Sequence, residues 1–337
     1  MGVVNTTIRL APLALLTHPF APLGLGHDPS GGVESITAAE IAEHVTELAS
    51  DAFEGRAAGS AGGRKAARYI AEAFASFGLA PIVGSAPSAP AASDPRAANA
   101  STADYFQPFQ ARGLSTQNVI GFLEGSHPER RYEYVVIGAH YDHLGMDAET
   151  GAIFNGADDD ASGTSVMLEL AEAFAHAETR PERSLVFIAF GAEEMGLLGS
   201  RHYVENPLRP LEQTRWMVNL EMMGRGDEGR VSIMMLASLP DSLLDAIGES
   251  ALEQELEPVD GGSAHLRSGD QFPFHDAGVP ILCFYGGENH PDYHQPTDTA
   301  DKIQPRWMAA LARTVYGAVE ACANGEDGEP RAGDADD

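Results

Sequence analysis

Hydrophobic and polar positions along the chain fall into two alternating textures. Short apolar runs rich in β-branched and aromatic residues, NVIGFLE, YEYVVIGA, SLVFIAF, WMVNLEM, VSIMMLA and VPILCFY, read as buried strands. Helical spacing of apolar residues occupies the stretches near 161–176, after Met195, near 241–254 and from about 305 to 322. Upstream, Thr37 caps a segment in which Ile41, Val45 and Leu48 share one helical face. A second helix is predicted from Arg64 to Phe77, stopped by Gly78. The alternation predicts an α/β fold: a single domain over 36–323 with a mixed, mostly parallel central sheet covered by helices on both faces. Residues 84–104, rich in Ala, Ser and Pro, are expected to form a flexible surface loop, and 324–337 an acidic, disordered tail.

Composition narrows the function. The formal charge is −29, from 50 acidic against 21 basic residues, and lysine occurs only as Lys65 and Lys302. Nucleic acid is therefore excluded as an expected partner. No apolar run reaches the roughly 18 residues of a membrane span. Residues 1–35 read as an export signal or flexible leader, because Arg9 precedes the apolar run Leu10 to Leu16. Export to the periplasm or outside is expected; His18 and two prolines interrupt the pattern and keep a cytoplasmic location as the alternative. Cys283 and Cys322 lie in apolar runs, so two buried thiols are expected rather than a disulfide. The chain carries no sign of its oligomeric state.

Candidate chemistry gathers just after the predicted strands, where open α/β sheets place their sites. In Gly138-Ala139-His140-Tyr141-Asp142-His143, His140 is a candidate ligand that Asp142 would orient through the other ring nitrogen, or simply a strand-end histidine bonded locally. Asp158, Asp159 and Asp160 repel one another unless a cation holds them, although an acidic helix cap is the alternative. Glu193 and Glu194 diverge, so one can face a metal while the other reaches its water; two solvated residues of a first helical turn would look the same. Glu221 ends an apolar run and needs a partner, either a metal or Arg225. His290 and His294 sit in a proline-bounded loop as candidate ligands or as solvent-facing residues.

In order, GAHYDHLG, NGADDDASGT, AFGAEEMGLLGS, NLEMMGR and HPDYHQPTDT resemble the signature segments of metallopeptidase family twenty-eight, with an upstream match at LASDAFEGR; the likeness covers about 40–320. The resemblance implies a zinc-peptidase domain with two Zn2+ ions, acting on peptide substrates. Asp158 would bridge the metals, His140 and Glu221 would complete one site, and Glu194 and His294 the other. Glu193 would be the general base, Asp142 would orient His140, and Asp159 would support the bridging loop. Tyr293 would donate to the tetrahedral oxygen, as in the carboxypeptidase branch. Glu221 departs from the aspartate more usual there. Asp270, Phe272, Phe274 and Tyr285 are expected to line the substrate pocket, with core packing the alternative reading for at least one of the three aromatic rings. An aminopeptidase is the expected activity; a carboxypeptidase, a single-zinc glutaminyl cyclase and a non-catalytic receptor-like domain share the scaffold.

An acidic, lysine-poor surface suits solution of high ionic strength, where screening weakens self-repulsion. Dialysis from molar salt into dilute buffer is accordingly expected to lower the thermal midpoint; an unchanged midpoint and activity would rule out salt adaptation.

Overall fold

The structure is a computed structural model that describes residues 31–82, 101–286 and 290–325. The expected export signal, most of the loop at 84–104 and nearly all of the tail at 324–337 lie outside the described residues.

The first helix, α1 (Ala38–Leu48), is capped by Thr37, whose side chain accepts from the Glu40 N–H and donates to the Glu40 carboxylate. The second, α2 (Ala61–Ser76), ends before Gly78, which takes φ 81°. Strands β1 (Ala80–Pro81), β2 (Phe106–Ala111), β3 (Leu114–Leu123) and β4 (Tyr134–His140) follow, then a small hairpin of β5 (Gly145–Met146) and β6 (Ile153–Phe154). Next come α3 (Gly163–His176), β7 (Ser184–Phe190), α4 (Leu198–Glu205), β8 (Thr214–Glu221), β9 (Arg230–Ile233) and α5 (Asp241–Glu253). The last elements are β10 (Glu257–Asp260), α6 (Gln271–Asp276), β11 (Ile281–Tyr285) and α7 (Pro305–Asn324).

Nine strands form one sheet in the order β1-β3-β7-β4-β8-β11-β9-β10, with β2 paired to β3. The four central strands, β7, β4, β8 and β11, are mutually parallel. At the margins β3 joins β7 antiparallel and β9 joins β11 antiparallel, which makes the sheet mixed. Every residue of β4 and β7 is buried, because helices cover both faces and leave no polar side to the strands.

Alternate side chains serve opposite cores. Val135, Ile137, Leu185 and Phe187 join the larger core with α1, α2, α3 and α7, while Val136, Val186, Ile188 and Phe190 pack with Tyr203 of α4 and Phe274 of α6. Cys283 and Cys322 are free, buried thiols. Among the described residues no helix is long and apolar enough to cross a membrane.

One polar group in the larger core makes stability depend on pH. His44 and Glu169 are each at most 2% exposed; His44 Nδ1 meets the Tyr69 hydroxyl at 2.7 Å, while its Nε2 stands 3.8 Å from Glu169 Oε1. Burial lowers His44 to about 4 and raises Glu169 to about 9, the latter helped by Glu40. Between 4.5 and 9 the folded chain keeps the Glu169 proton that the unfolded chain releases, so stability falls as pH rises through that window. His44 acts in the opposite sense between about 4 and 6.5, so Glu169 acts alone of the two above 6.5. Stability measured by urea denaturation should fall from pH 7 to 9, and Glu169→Gln should flatten that fall; an equal fall in both proteins would refute the assignment.

Candidate metal centre

The parallel strands deliver their carboxyl ends to one edge of the sheet. His140 ends β4, Glu193 and Glu194 follow β7, Glu221 ends β8, and His290 and His294 follow β11. Residues 157–162, which lead into α3, bring Asp158, Asp159 and Asp160 to the same place. All three aspartates are buried, and the Asp159–Asp160 peptide is cis.

Among the described residues two donor groups converge, His140 with Asp159 and Glu221, and His143 with Asp159 and Glu194, with ligand atoms in each group within 4.8 Å of one another. Asp159 is common to both. Its Oδ1 lies 3.2 Å from His140 Nε2, and its Oδ2 lies 3.1 Å from His294 Nε2 and 3.8 Å from His143 Nδ1. Glu221 Oε1 is 3.4 Å from His140 Nε2, and Glu194 Oε2 is 3.4 Å from His294 Nε2.

Several sequence expectations are corrected by this geometry. The carboxylate between the two groups is that of Asp159, not Asp158. The Asp158 side chain turns away: Oδ1 accepts from the Gly224 N–H at 2.7 Å and Oδ2 meets His290 Nε2 at 2.9 Å. Asp142 approaches His140 through its main-chain carbonyl, 3.0 Å from Nδ1, while its carboxylate accepts the Glu193 N–H at 3.0 Å. It therefore links the His140 and Glu193 segments rather than holding the imidazole with its side chain. Phe274 is fully buried against Phe190 and Tyr203, the core-packing alternative for that ring, and Asp270 is buried beneath the surface, accepting from Ser200.

Other expected residues do face the site's surroundings. Tyr285 stacks on His265 at 5.6 Å and lines a cleft of about 1060 Å³ that also reaches Arg225, His290 and Lys302. Tyr293 is 38% exposed and stacks on the His294 ring at 3.9 Å. Arg225, offered as a partner for Glu221, instead bonds Asp292 at 2.7 Å, and Lys302 bonds the same carboxylate at 2.7 Å. Phe272 is partly buried between neighbouring guanidinium groups.

Sequence reasoning gave His143 no role, although it lies within the quoted segment three residues beyond His140. Its Nδ1 is 2.7 Å from Glu194 Oε1, yet these atoms, His143 Nε2 and Asp159 Oδ2 are buried without an aligned hydrogen bond. Polar atoms crowded together without pairing are what a shared cation would reconcile, and imidazoles with carboxylates and no thiolate suit a divalent ion.

The imidazoles and carboxylates of the two groups also act on one another electrostatically. Burial raises the proton affinity of Asp159 and Glu194, but the adjacent imidazoles overcome it, holding Asp159 well below the carboxylate range and Glu194 at about 2. His294 is raised to about 10 by Asp159 and Glu194. Glu193 goes the other way: burial, with Glu221 and Asp270 nearby, outweighs His140 and keeps it high.

The loops that carry these groups are tied through main-chain atoms. Asp298 accepts the N–H groups of Asp158 and Asp159, at 3.0 to 3.2 Å, and Asp160 accepts those of His140, Gly163 and Met222. The Arg56 guanidinium, 1% exposed, donates to the carbonyls of Leu48, Tyr141, Asn155 and Gly156.

Residues 118–319, well over half of the chain, match the profile of peptidase family M28. The chain belongs to that family. Among curated relatives it is similar to aminopeptidase YwaD of Bacillus subtilis, 33% identical over 61% of this chain and 44% of that protein. It is also similar to leupeptin-inactivating enzyme 1 of Streptomyces exfoliatus, 26% identical over 66% of this chain and 47% of that one, so it spans less than half the length of either. Among solved structures, a zinc aminopeptidase from Bacillus subtilis shares the fold with TM-score 0.65 at 21% identity, over 86% of this chain and 96% of that one. A glutaminyl cyclase from Bacteroides thetaiotaomicron shares it with TM-score 0.64 at 18% identity, over 85% of this chain and 98% of that one.

Replacing Arg56 tests the staple beneath the centre. Arg56→Met leaves four buried carbonyls short of a donor and removes a positive charge from among carboxylates, so a loss of about 3–5 kcal/mol is expected in urea denaturation. A loss below about 1 kcal/mol would show that the loops hold themselves.

Proposed function

We propose that the chain is a co-catalytic dizinc peptidase that removes N-terminal residues from peptides. The observation that carries this is Asp159, whose two oxygens face two different sets of donors. His140 and Glu221 would hold one ion, Glu194 with His143 and His294 the other, and Asp159 would join them. When bound, zinc polarises a carbonyl oxygen and makes water more acidic. The names of the relatives, aminopeptidase among them, favour this activity over a carboxypeptidase.

Within this scheme Glu193 takes a proton from the attacking water and returns it to the leaving amine. Hydrogen bonds on both sides anchor its main chain: the N–H donates to Asp142, and the carbonyl accepts from the N–H groups of Gly196 and Leu197, each at 2.8 Å. A carboxylate kept high in proton affinity by burial both accepts and releases a proton near neutrality more readily than an exposed one. His140 and His294 keep the neighbouring carboxylates in place, and Tyr293, whose ring stacks on His294, would donate to a tetrahedral oxygen.

Elemental analysis beside turnover of an amino-acyl p-nitroanilide panel tests the scheme. About two zincs per chain are expected; Glu193→Gln should retain them while activity drops by about 10²–10⁴-fold. Asp159→Asn should lose metal and activity together, whereas Asp158→Asn should keep both ions. Metal loss confined to the Asp158 variant would refute the bridging assignment. One zinc per chain with cyclisation of an N-terminal glutamine peptide would replace the peptidase by a cyclase.

A further inference from the structure

Around the acidic centre two cationic side chains have no acidic partner among the described residues. Arg201 and Arg267 are exposed, make no ion pair with a described carboxylate, and converge on one aromatic ring: their guanidinium carbons lie 5.9 and 4.7 Å from the Phe272 centroid. Other described arginines divide: Arg130, Arg183, Arg215, Arg225 and Arg230 are each tied to a carboxylate, while Arg64 and Arg313 donate to main-chain carbonyls. Arg201 and Arg267 stand apart in sharing one aromatic ring with no described carboxylate between them.

Both belong to segments that touch the centre. The Arg201 Nε donates to the Gly196 carbonyl at 3.3 Å, and Gly196, two residues past Glu194, is bonded through its own N–H to Glu193. Arg112 approaches the same turn: a Cβ added to Gly196 would lie 3.7 Å from its Nη2. On the other side, Arg267 precedes Gly269, where an added Cβ would stand 3.2 Å from Glu221 Oε2. The ring attracts a guanidinium through its π face but accepts no conventional hydrogen bond, so most of the N–H donors stay available.

At this rim planar guanidinium groups offer a substrate carboxylate paired donors. We propose that Arg201 and Arg267, held against Phe272, recognise a carboxylate of the substrate. This rests on the peptidase reading of the centre and extends it to acidic or short peptides, whose carboxylate belongs to the first side chain or to the C-terminus.

Calorimetric binding to the zinc-loaded Glu193→Gln protein tests the rim without turnover. Aspartyl-leucine amide is compared with asparaginyl-leucine amide, and leucyl-glycine with leucyl-glycine amide, so that the two pairs separate the two sources of carboxylate. At one position the carboxylate peptide should bind about tenfold more tightly than its neutral counterpart. Adding Arg201→Met and Arg267→Met should abolish that preference, and lysine at both positions should restore part of it; zinc content and thermal midpoint report folding. Equal affinity within both pairs, undetectable binding of both carboxylate peptides, or a preference that survives the double substitution would overturn the proposal. Lack of turnover in the unsubstituted protein would overturn the peptidase reading alone, since the binding comparison does not depend on it.

Discussion

The centre depends on confining negative charge where water cannot screen it. Asp142, Asp158, Asp159, Asp160, Asp270 and Asp298 are each at most 3% exposed and gather at one edge of the sheet. Buried carboxylates at such density survive only if each finds a proton, a donor or a cation. Main-chain N–H groups answer for Asp160 and Asp298, imidazoles answer for Asp158 and Asp159, and Ser200 answers for Asp270. Arg56 answers at a distance. It touches carbonyls rather than carboxylates, yet the fields of Asp159, Asp298, Asp160 and Asp142 favour its charge against the burial that lowers it to about 10. One side chain thus staples the end of α1, the turn after β4 and the loop before α3, and supplies positive charge to the acids those loops carry.

That requirement makes the loops interdependent. Asp298, four residues past His294, accepts the N–H groups of the residue that serves both donor sets and of its neighbour. His290 bonds Asp158 on one side and meets Arg225 on the other, and Arg225 continues through Asp292 to Lys302. The position of His294 is therefore coupled to that of Asp159 directly, at 3.1 Å, and again through Asp298. A centre assembled from four strands and three loops gains the rigidity of a single element, and preorganisation of this kind lets electrostatic groups act without first rearranging.

How much of this the sequence displays follows from how local each cause is. Parallel strands buried on both faces announce themselves as continuous apolar runs, and the residues after them were legible as a set. The order within a run of identical residues was not: Asp158 and Asp159 differ only in which way the main chain turns, and that is decided by Asp298 and Gly224, more than sixty residues away in sequence. His143 was hidden because a histidine beside a stronger candidate looks redundant. Phe274 and Phe272 share one short helix, and only packing against Phe190 and Tyr203 distinguishes the buried ring from the one at the surface. The short strands β1, β5, β6 and β10 carry too few residues for a period to show. Arg56 was legible only as the last residue of the segment LASDAFEGR and not in its role, since a buried cation is defined by the carbonyls it meets.

The glutamate at position 221 shows how a departure is accommodated rather than merely tolerated. A glutamate places its carboxylate one methylene farther from the main chain than the aspartate expected there, so the surroundings must yield space and a donor. Gly269 yields the space: a Cβ at that position would stand 3.2 Å from Glu221 Oε2, a contact tighter than side chains ordinarily make. Asn219, one pleat earlier on β8, offers an amide to the same oxygen at 3.3 Å and is itself held by Gln271 at 2.9 Å. The longer side chain is steered from β8 and α6 together, leaving Oε1 toward His140 and Asp159. Residue 221 and residues 269 to 271 therefore act as one unit, and the length of the Glu221 side chain is matched by the absence of a side chain opposite it.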